Sequence, residues 1–174
     1  MLTGLVPPTG LPLSFISAGS ISKWRFFVNY TLRNCGFNDL EFILELKTLG
    51  MKWYIEKIYG WDIDVQRQKT IEELNSNMQD MRVVQADGKD IGITTFSESD
   101  DYYQVGLIII HPDYQNKGIA SSIINGYINT ARLKNKRIIL KTYKENPAQN
   151  LYKRLGFKIY KTDSTHIYFD IVGE

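Results

Sequence analysis

A chain of 174 residues with 43% hydrophobic and 13% aromatic residues carries enough apolar mass for one folded core, which excludes a disordered polymer. Its net charge of +2 is too small to argue for a nucleic-acid or membrane partner. The single cysteine, Cys35, excludes an internal disulfide framework and suits a reducing, cytoplasmic setting with a buried, inert thiol.

In chain order, Pro7, Pro8 and Pro12 together with Gly4, Gly10 and Gly19 break every periodicity in the opening stretch. That stretch lacks a basic n-region, and no apolar run of the chain approaches the ~20 residues of a membrane span. We expect residues 1–22 to be a leader or extension outside the fold and residues 23–174 to form a single domain. Trp24 to Arg33 reads as a first strand, with Phe27 and Val28 inside it. Asn38-x-x-Glu41 has the form of a capping box ahead of Leu40, Ile43, Leu44 and Leu46, and Gly50 is expected to end that helix. Met51 to Tyr59 reads as a second helix closed by Gly60, and Asp64 to Met78 as a third carrying Val65, Ile71, Leu74 and Met78. Arg82–Ala86 and Ile91–Ser97 read as strands joined by Asp87-Gly88, a strong hairpin signal. Glu98 to Asp101 is the next turn, and Tyr102 to Ile110 the long central strand.

Beyond that strand, Ser121 to Asn135 forms a helix with Ile124, Tyr127, Ile128 and Ala131 on one face, and Arg137 to Thr142 a strand. Asn146 to Gly156 is a short, well-punctuated helix: Asn146 can cap it, Pro147 suits its first turn, and Gly156 can stop it in a left-handed conformation. Phe157–Lys161 and His166–Ile171 close the chain as an antiparallel pair. The order implies an α/β fold of the α+β kind, a mixed and mostly antiparallel central sheet with helices on both faces.

The segment Ile110-His111-Pro112-Asp113-Tyr114-Gln115-Asn116-Lys117-Gly118-Ile119-Ala120 joins the central strand to the helix that follows. A small, amide-rich loop at this point can turn several backbone N–H groups into one concavity at a helix N-terminus, which favours phosphate oxygens. It is not a P-loop, because Lys117 precedes Gly118, and it is not a dinucleotide fingerprint, because Gly118 is its only glycine. Ile110, Pro112, Gln115, Gly118 and Ala120 do fall on the Val/Ile-x-Pro-x-x-Gln/Arg-x-x-Gly-x-Gly/Ala loop, and the segment resembles the acetyl-CoA loop of the GNAT acetyltransferases. Asn146-Pro147-Ala148-Gln149-Asn150-Leu151-Tyr152-Lys153-Arg154-Leu155-Gly156-Phe157 is similar to that family's Asn…Ala-x-x-Leu-Tyr-x-x-x-Gly-Phe element. The likeness runs well from Arg82 to the C-terminus and only in general character over Phe27 to Asp80.

The resemblance implies the GNAT acyltransferase fold and an enzyme that moves an acetyl group from acetyl-CoA to a primary amine of a small molecule or peptide. Transfer is expected to be direct, in a ternary complex and without a metal. The pantetheine arm is expected beside the backbone of Ile108 and Ile110, with Ile109 pointing away. The pyrophosphate is expected on Asn116, Lys117, Gly118, Ile119, Ala120 and Ser121, with Gln115 bracing the loop; Lys117 adds a charge contact or is simply solvated. Tyr152 matches the family's general acid and Asn146 a cofactor-contacting asparagine, although the Asn146–Tyr152 spacing is one residue shorter than in many members. No acid stands on the central strand or on Ile138–Thr142, which leaves a water chain or Glu98, Asp100 and Asp101 for the general base. Trp53, Tyr54, Tyr59 and Trp61, with Glu56 and Asp62, either wall the acceptor pocket or belong to the core. A non-catalytic acyl-CoA-binding module is the alternative function. A nucleic-acid surface on Lys134, Lys136, Arg137, Lys141 and Lys144 is disfavoured by the charge balance, and a homodimer is a frequent arrangement at this size.

Overall fold

A computed structural model describes residues 29–172. The expected extension at 1–22, and Trp24 to Val28 of the expected first strand, lie outside the described residues. Asn29 and Tyr30, also expected in it, are not in a strand, and within the described residues the strand is β1 (Thr31–Asn34). It is followed by α1 (Leu40–Tyr59), α2 (Ile63–Asn77), β2 (Met81–Ala86), β3 (Lys89–Glu98), β4 (Tyr102–Ile110), α3 (Ile119–Leu133), β5 (Arg137–Tyr143), α4 (Gln149–Arg154), β6 (Lys158–Thr162) and β7 (His166–Ile171). The strands form one sheet in the order β1-β2-β3-β4-β5-β7-β6. Every neighbouring pair is antiparallel except β4 and β5. Among the described residues no helix is long and apolar enough to cross a membrane.

Helices cover both faces. On one, Ile43 and Leu46 of α1 and Leu74 of α2 pack on Met81, Val83, Ile93 and Ile109. On the other, Ile124, Ile128 and Ala131 of α3 and Tyr152 of α4 pack on Tyr103, Val105, Leu140 and Phe169. The face of α4 made by Ala148, Leu151, Tyr152 and Leu155 joins that same core. Between β2 and β3 the turn residues Asp87 and Gly88 both take positive φ, 51° and 73°, the geometry that matches the twist of a tight hairpin.

Two expectations for the first helices are corrected. Gly50 does not end a helix; α1 runs through it to Tyr59. A Cβ at position 50 would stand 2.9 Å from Cγ2 of Ile109, so the glycine serves close approach of α1 to β4, and the packing gained there outweighs its poor helix propensity. The Asn38–Glu41 capping box does not form. Instead Glu41 pairs with Arg67 across to α2. The residue ahead of α1 is Asp39, whose carboxylate accepts from the Gly36 N–H at 2.8 Å and from Arg33.

Arg33 is the tie of the β1 edge. Its guanidinium reaches Asp39 at 2.6 Å and Asp90 at 2.5 Å, joining β1, the turn before α1 and the start of β3. Hydrogen bonds from Arg33 hold both carboxyls below the usual carboxylate range. A carboxyl whose pKa is depressed on folding contributes stability above its unfolded value, and that contribution is lost as pH falls through the folded value. Arg33→Met should therefore cost roughly 1–3 kcal/mol at neutral pH. Its stability should also depend less on pH below about 4 than that of the wild type. Urea unfolding across an acid pH series checks both.

Candidate active site

The site begins with a break in the sheet. β4 and β5 pair in parallel from Tyr102↔Arg137 to Val105↔Leu140 and no further, although β4 continues to Ile110 and β5 to Tyr143. The cause lies on the other side of β4. Thr94 of β3 pairs with Ile108 and Phe96 with Val105, so Thr95 alone is opposed by both Gly106 and Leu107. This is a β-bulge in β4, and a bulged strand bends. The extra residue also reverses which side chains face which helices. Tyr103 and Val105 point into the core under α3 and α4. Past the bulge Leu107 and Ile109 point to α1 and α2, while Ile108 and Ile110 point to α3. The expected opposition of Ile109 to Ile108 and Ile110 is what the strand shows.

Where the strands part there is a cleft of about 1140 Å³. One wall is the unpaired half of β4, including Ile108, Ile109 and Ile110, and the other is Lys141, Thr142 and Tyr143 of β5. Beyond the parallel pairing the β5-facing backbone groups of β4 have no ladder partner among the described residues, which leaves them to a ligand's polar atoms.

The loop after β4 closes the cleft at one end. Gln115 donates from Nε2 to the Ile110 carbonyl at 2.8 Å, tying the loop to the end of the strand as expected. Asn116 (φ 59°) and Gly118 (φ 83°) take left-handed conformations, and Gly118 is the N-cap from which α3 springs. This tight turn starts α3 at Ile119, ahead of the expected Ser121. The backbone N–H groups from Asn116 to Ser121 have no acceptor among the described residues, and the first bonded amide is Ser122, donating to Gly118 at 2.9 Å. Gln115, Asn116, Gly118, Ile119, Ala120 and Ser121 all line the cleft. Lys117 does not. Its Nζ lies 4.9 Å from the Tyr114 ring centroid, a cation–π contact that holds it on the outside of the loop.

Across the cleft, Tyr152 is 5% exposed, with Phe157 and Phe169 against its ring. Its side chain lines the cleft, and its hydroxyl has no partner among the described residues. Burial pushes its pKa up to about 12, which keeps the O–H protonated at neutral pH. Asn146 also lines the cleft, and its Oδ1 accepts from the Ala148 N–H at 2.9 Å, so it braces the turn ahead of α4. Its role as N-cap is corrected: α4 starts at Gln149, with Ala148 as the cap.

Glu98, Asp100 and Asp101 lie at the opposite end of β4 from the loop, and none lines the cleft. Glu98 is bound to Lys136 at 2.7 Å, which holds its carboxyl below the ordinary range. Of the aromatic residues of α1, Tyr54 is buried at the cleft and Trp53 lines it half-exposed, whereas Tyr59 is exposed and Asp62 caps α2. Tyr54 approaches Tyr143 with ring centroids 5.3 Å apart. Its hydroxyl is pushed up by burial, with Tyr143 and Tyr152 as further contributors. Tyr143 in turn packs against His166 with ring centroids 4.3 Å apart and planes tilted by 36°. His166 lines the cleft, and neither it nor Tyr143 was marked by the motifs. The available signal was the expected β7, which can set His166 beside the end of β5. Among the described residues no cluster of His, Cys, Asp or Glu could hold a metal ion.

Comparison with known proteins accords with this geometry. Residues 78–159 match the acetyltransferase (GNAT) domain family. An uncharacterized N-acetyltransferase of Methanocaldococcus jannaschii is 27% identical over 154 residues, covering 80% of this chain; the chain spans 65% of that relative's length. Among solved structures, the PaiA N-acetyltransferase of Thermoplasma acidophilum in complex with coenzyme A is similar with a TM-score of 0.66 at 20% identity, over 83% of this chain and 99% of that one. A Pyrococcus horikoshii protein is similar with a TM-score of 0.68 at 16% identity, over 84% and 99%. At these identities the structures establish the fold.

The unbonded amides make a prediction in solution. In native-state hydrogen exchange, Asn116 to Ser121 should exchange at nearly the rates of an unstructured peptide, while Ile123 onward in α3 should be protected by several orders of magnitude. Strong protection across Asn116–Ser121 in the unliganded protein would show that the loop satisfies its own donors.

Proposed function

With residues 78–159 matched to its domain, the chain belongs to the GNAT acetyltransferase family, and from that premise we propose that it is an N-acetyltransferase moving an acetyl group from acetyl-CoA to a primary amine of a small molecule or peptide. Acetyl-CoA, as donor, supplies the acetyl group as a thioester. The observation that carries the reading is the coincidence, in one cleft, of a broken β4–β5 ladder and a run of amides at the start of α3 with no acceptor among the described residues. The first suits the amide groups of an extended arm, and the second suits a diphosphate.

The chain's own residues then divide the work. The loop from Asn116 to Ser121 holds negative charge through backbone donors and the positive end of the α3 dipole, with Gln115 keeping the loop against β4. The unpaired edge from Gly106 to Ile110 aligns the donor along the cleft. Tyr152 donates the proton that the departing sulfur requires, and its seating against Phe157 and Phe169 fixes where that proton is delivered. A direct route, with amine and thioester side by side, calls for a cleft open to both, and Trp53 and Tyr54 of α1 wall the part remote from the loop.

Two substitutions test this. Gly118→Val forces a β-branched side chain into a φ of 83° with open space around it, so the cost falls on the loop's backbone and not on packing. Acetyl-CoA affinity measured by calorimetry should fall at least about tenfold, while the circular dichroism spectrum stays that of the wild type. Undiminished affinity removes the loop from the argument. Tyr152→Phe should lower kcat by roughly 100-fold or more with acetyl-CoA affinity nearly unchanged. The readout is release of free thiol with tyramine, spermidine and a short peptide with a free N-terminus as acceptors. Unaltered kcat would reduce Tyr152 to a packing residue.

A further inference from the structure

The reaction needs a group to take the proton that leaves the acceptor nitrogen, and the acids near the start of β4 do not reach the cleft. We propose that His166, through Nε2, is that proton acceptor, with Thr165 and Asp163 as the residues that position its ring; this rests on the acetyl-transfer reading above.

His166 lines the cleft, and its ring packs on Tyr143, which packs on Tyr54. Nδ1 of His166 lies 2.8 Å from the Thr165 hydroxyl and 3.7 Å from Asp163 Oδ1. Thr165 Oγ1 is also 3.4 Å from Asp163 Oδ1. Nε2 has no partner among the described residues, which leaves it as the ring nitrogen available to a ligand.

The polarity of this chain follows from the carboxylate at its end. Asp163 accepts from the backbone N–H groups of His166 at 2.7 Å and Thr165 at 2.9 Å, and from the Tyr168 hydroxyl at 2.8 Å. Those donors hold its carboxyl far below the usual range, so it is ionised and can only accept. The Thr165 O–H points toward it, which leaves the Thr165 oxygen to accept from an Nδ1–H. A lone pair at Nδ1 would face the same carboxylate across 3.7 Å and be repelled, whereas a proton there is attracted. Both effects place the ring proton on Nδ1 and the lone pair on Nε2, the arrangement a general base requires.

The step balances. The acceptor nitrogen's lone pair forms the C–N bond to the acetyl carbon, the C–S bond breaks, the sulfur takes the Tyr152 proton, and the nitrogen gives its proton to His166 Nε2. Solvent then carries the proton from His166 back to Tyr152.

The decisive test reads the ring before it reads the reaction. The chain has two histidines, so long-range proton–nitrogen correlation spectra of the wild type and of His111→Gln assign His166 without ambiguity. At a pH where the ring is neutral, His166 should show the Nδ1–H tautomer, and Thr165→Val should shift it toward the Nε2–H form that free imidazole side chains prefer. An Nε2–H tautomer in the wild type overturns the proposal. In the thiol-release assay with tyramine, spermidine and the peptide, His166→Gln should lose roughly 100-fold or more in kcat/KM while binding acetyl-CoA as the wild type does. Wild-type turnover by that variant overturns the role of His166 alone. Failure of the wild type to acetylate any of these amines overturns the acetyl-transfer reading, and the role of His166 with it.

Discussion

One extra residue in β4 governs the site. Gly106 and Leu107 together oppose Thr95, and the bend they impose carries the second half of β4 away from β5. A parallel pair that stayed in register would satisfy the backbone groups between Gly106 and Ile110 and leave no cleft. A pair that parted by chance would leave buried donors and acceptors at a cost of about 1–3 kcal/mol each. The bulge lets the strand stay paired with β3 on either side of it while its other edge is turned to an open cleft. Packing holds the bend: Ile109 is 8% exposed and sits where α1 comes close enough that only a glycine fits at position 50. A fault in the ladder, a helix glycine and a buried isoleucine are thus one device.

The same device explains which parts of the molecule could be read from its residues alone. β4 was expected at Tyr102–Ile110 and stands there, because a long aliphatic run bounded by turn residues allows little else. The bracing Gln115 was implied by the family resemblance of the loop, and the left-handed Gly156 was legible because the end of a short helix demands it locally. Gly50 was misread for the opposite reason. In isolation a mid-helix glycine looks like a stop, and only the distant Ile109 explains why it is tolerated. Glu41 likewise fits a local capping box but finds Arg67 on another helix, and tertiary pairing displaces the local option. The reversal of faces within β4 could not be read at all, since an unbroken run of Val, Leu and Ile looks the same whichever way its side chains point.

The cleft's two ends differ in the same respect. The end proposed for the donor is made from one continuous stretch, Gly106 to Ser121, with Tyr152 and Asn146 brought in from the next crossover. Its chemistry is mostly backbone, so the pattern of small and amide residues that shapes the backbone is visible as a motif. The other end is assembled from α1, the tip of β5 and the turn between β6 and β7. Tyr54, Tyr143 and His166 meet there only because β7 pairs with β5 in the register Tyr143↔His166 while α1 crosses the sheet beneath them. No spacing in the chain announces that meeting.

This division has a consequence for specificity. α1 and α2 are held together by Lys47, whose ammonium is buried between Thr70 at 2.9 Å and Glu73 at 2.7 Å. That ties up an acidic residue bordering the cleft, since Glu73 lines it. With Glu73 committed to Lys47, the far wall offers rings and an imidazole in place of a free carboxylate. For the proposed acetyl transfer, such a wall is suited to meet a cationic amine by cation–π attraction, worth about 0.5–2 kcal/mol per contact. In the proposed reaction the pairing of Glu73 with Lys47 keeps this wall poor in free negative charge, while the start of α3 is the part of the cleft offered to the donor's phosphates.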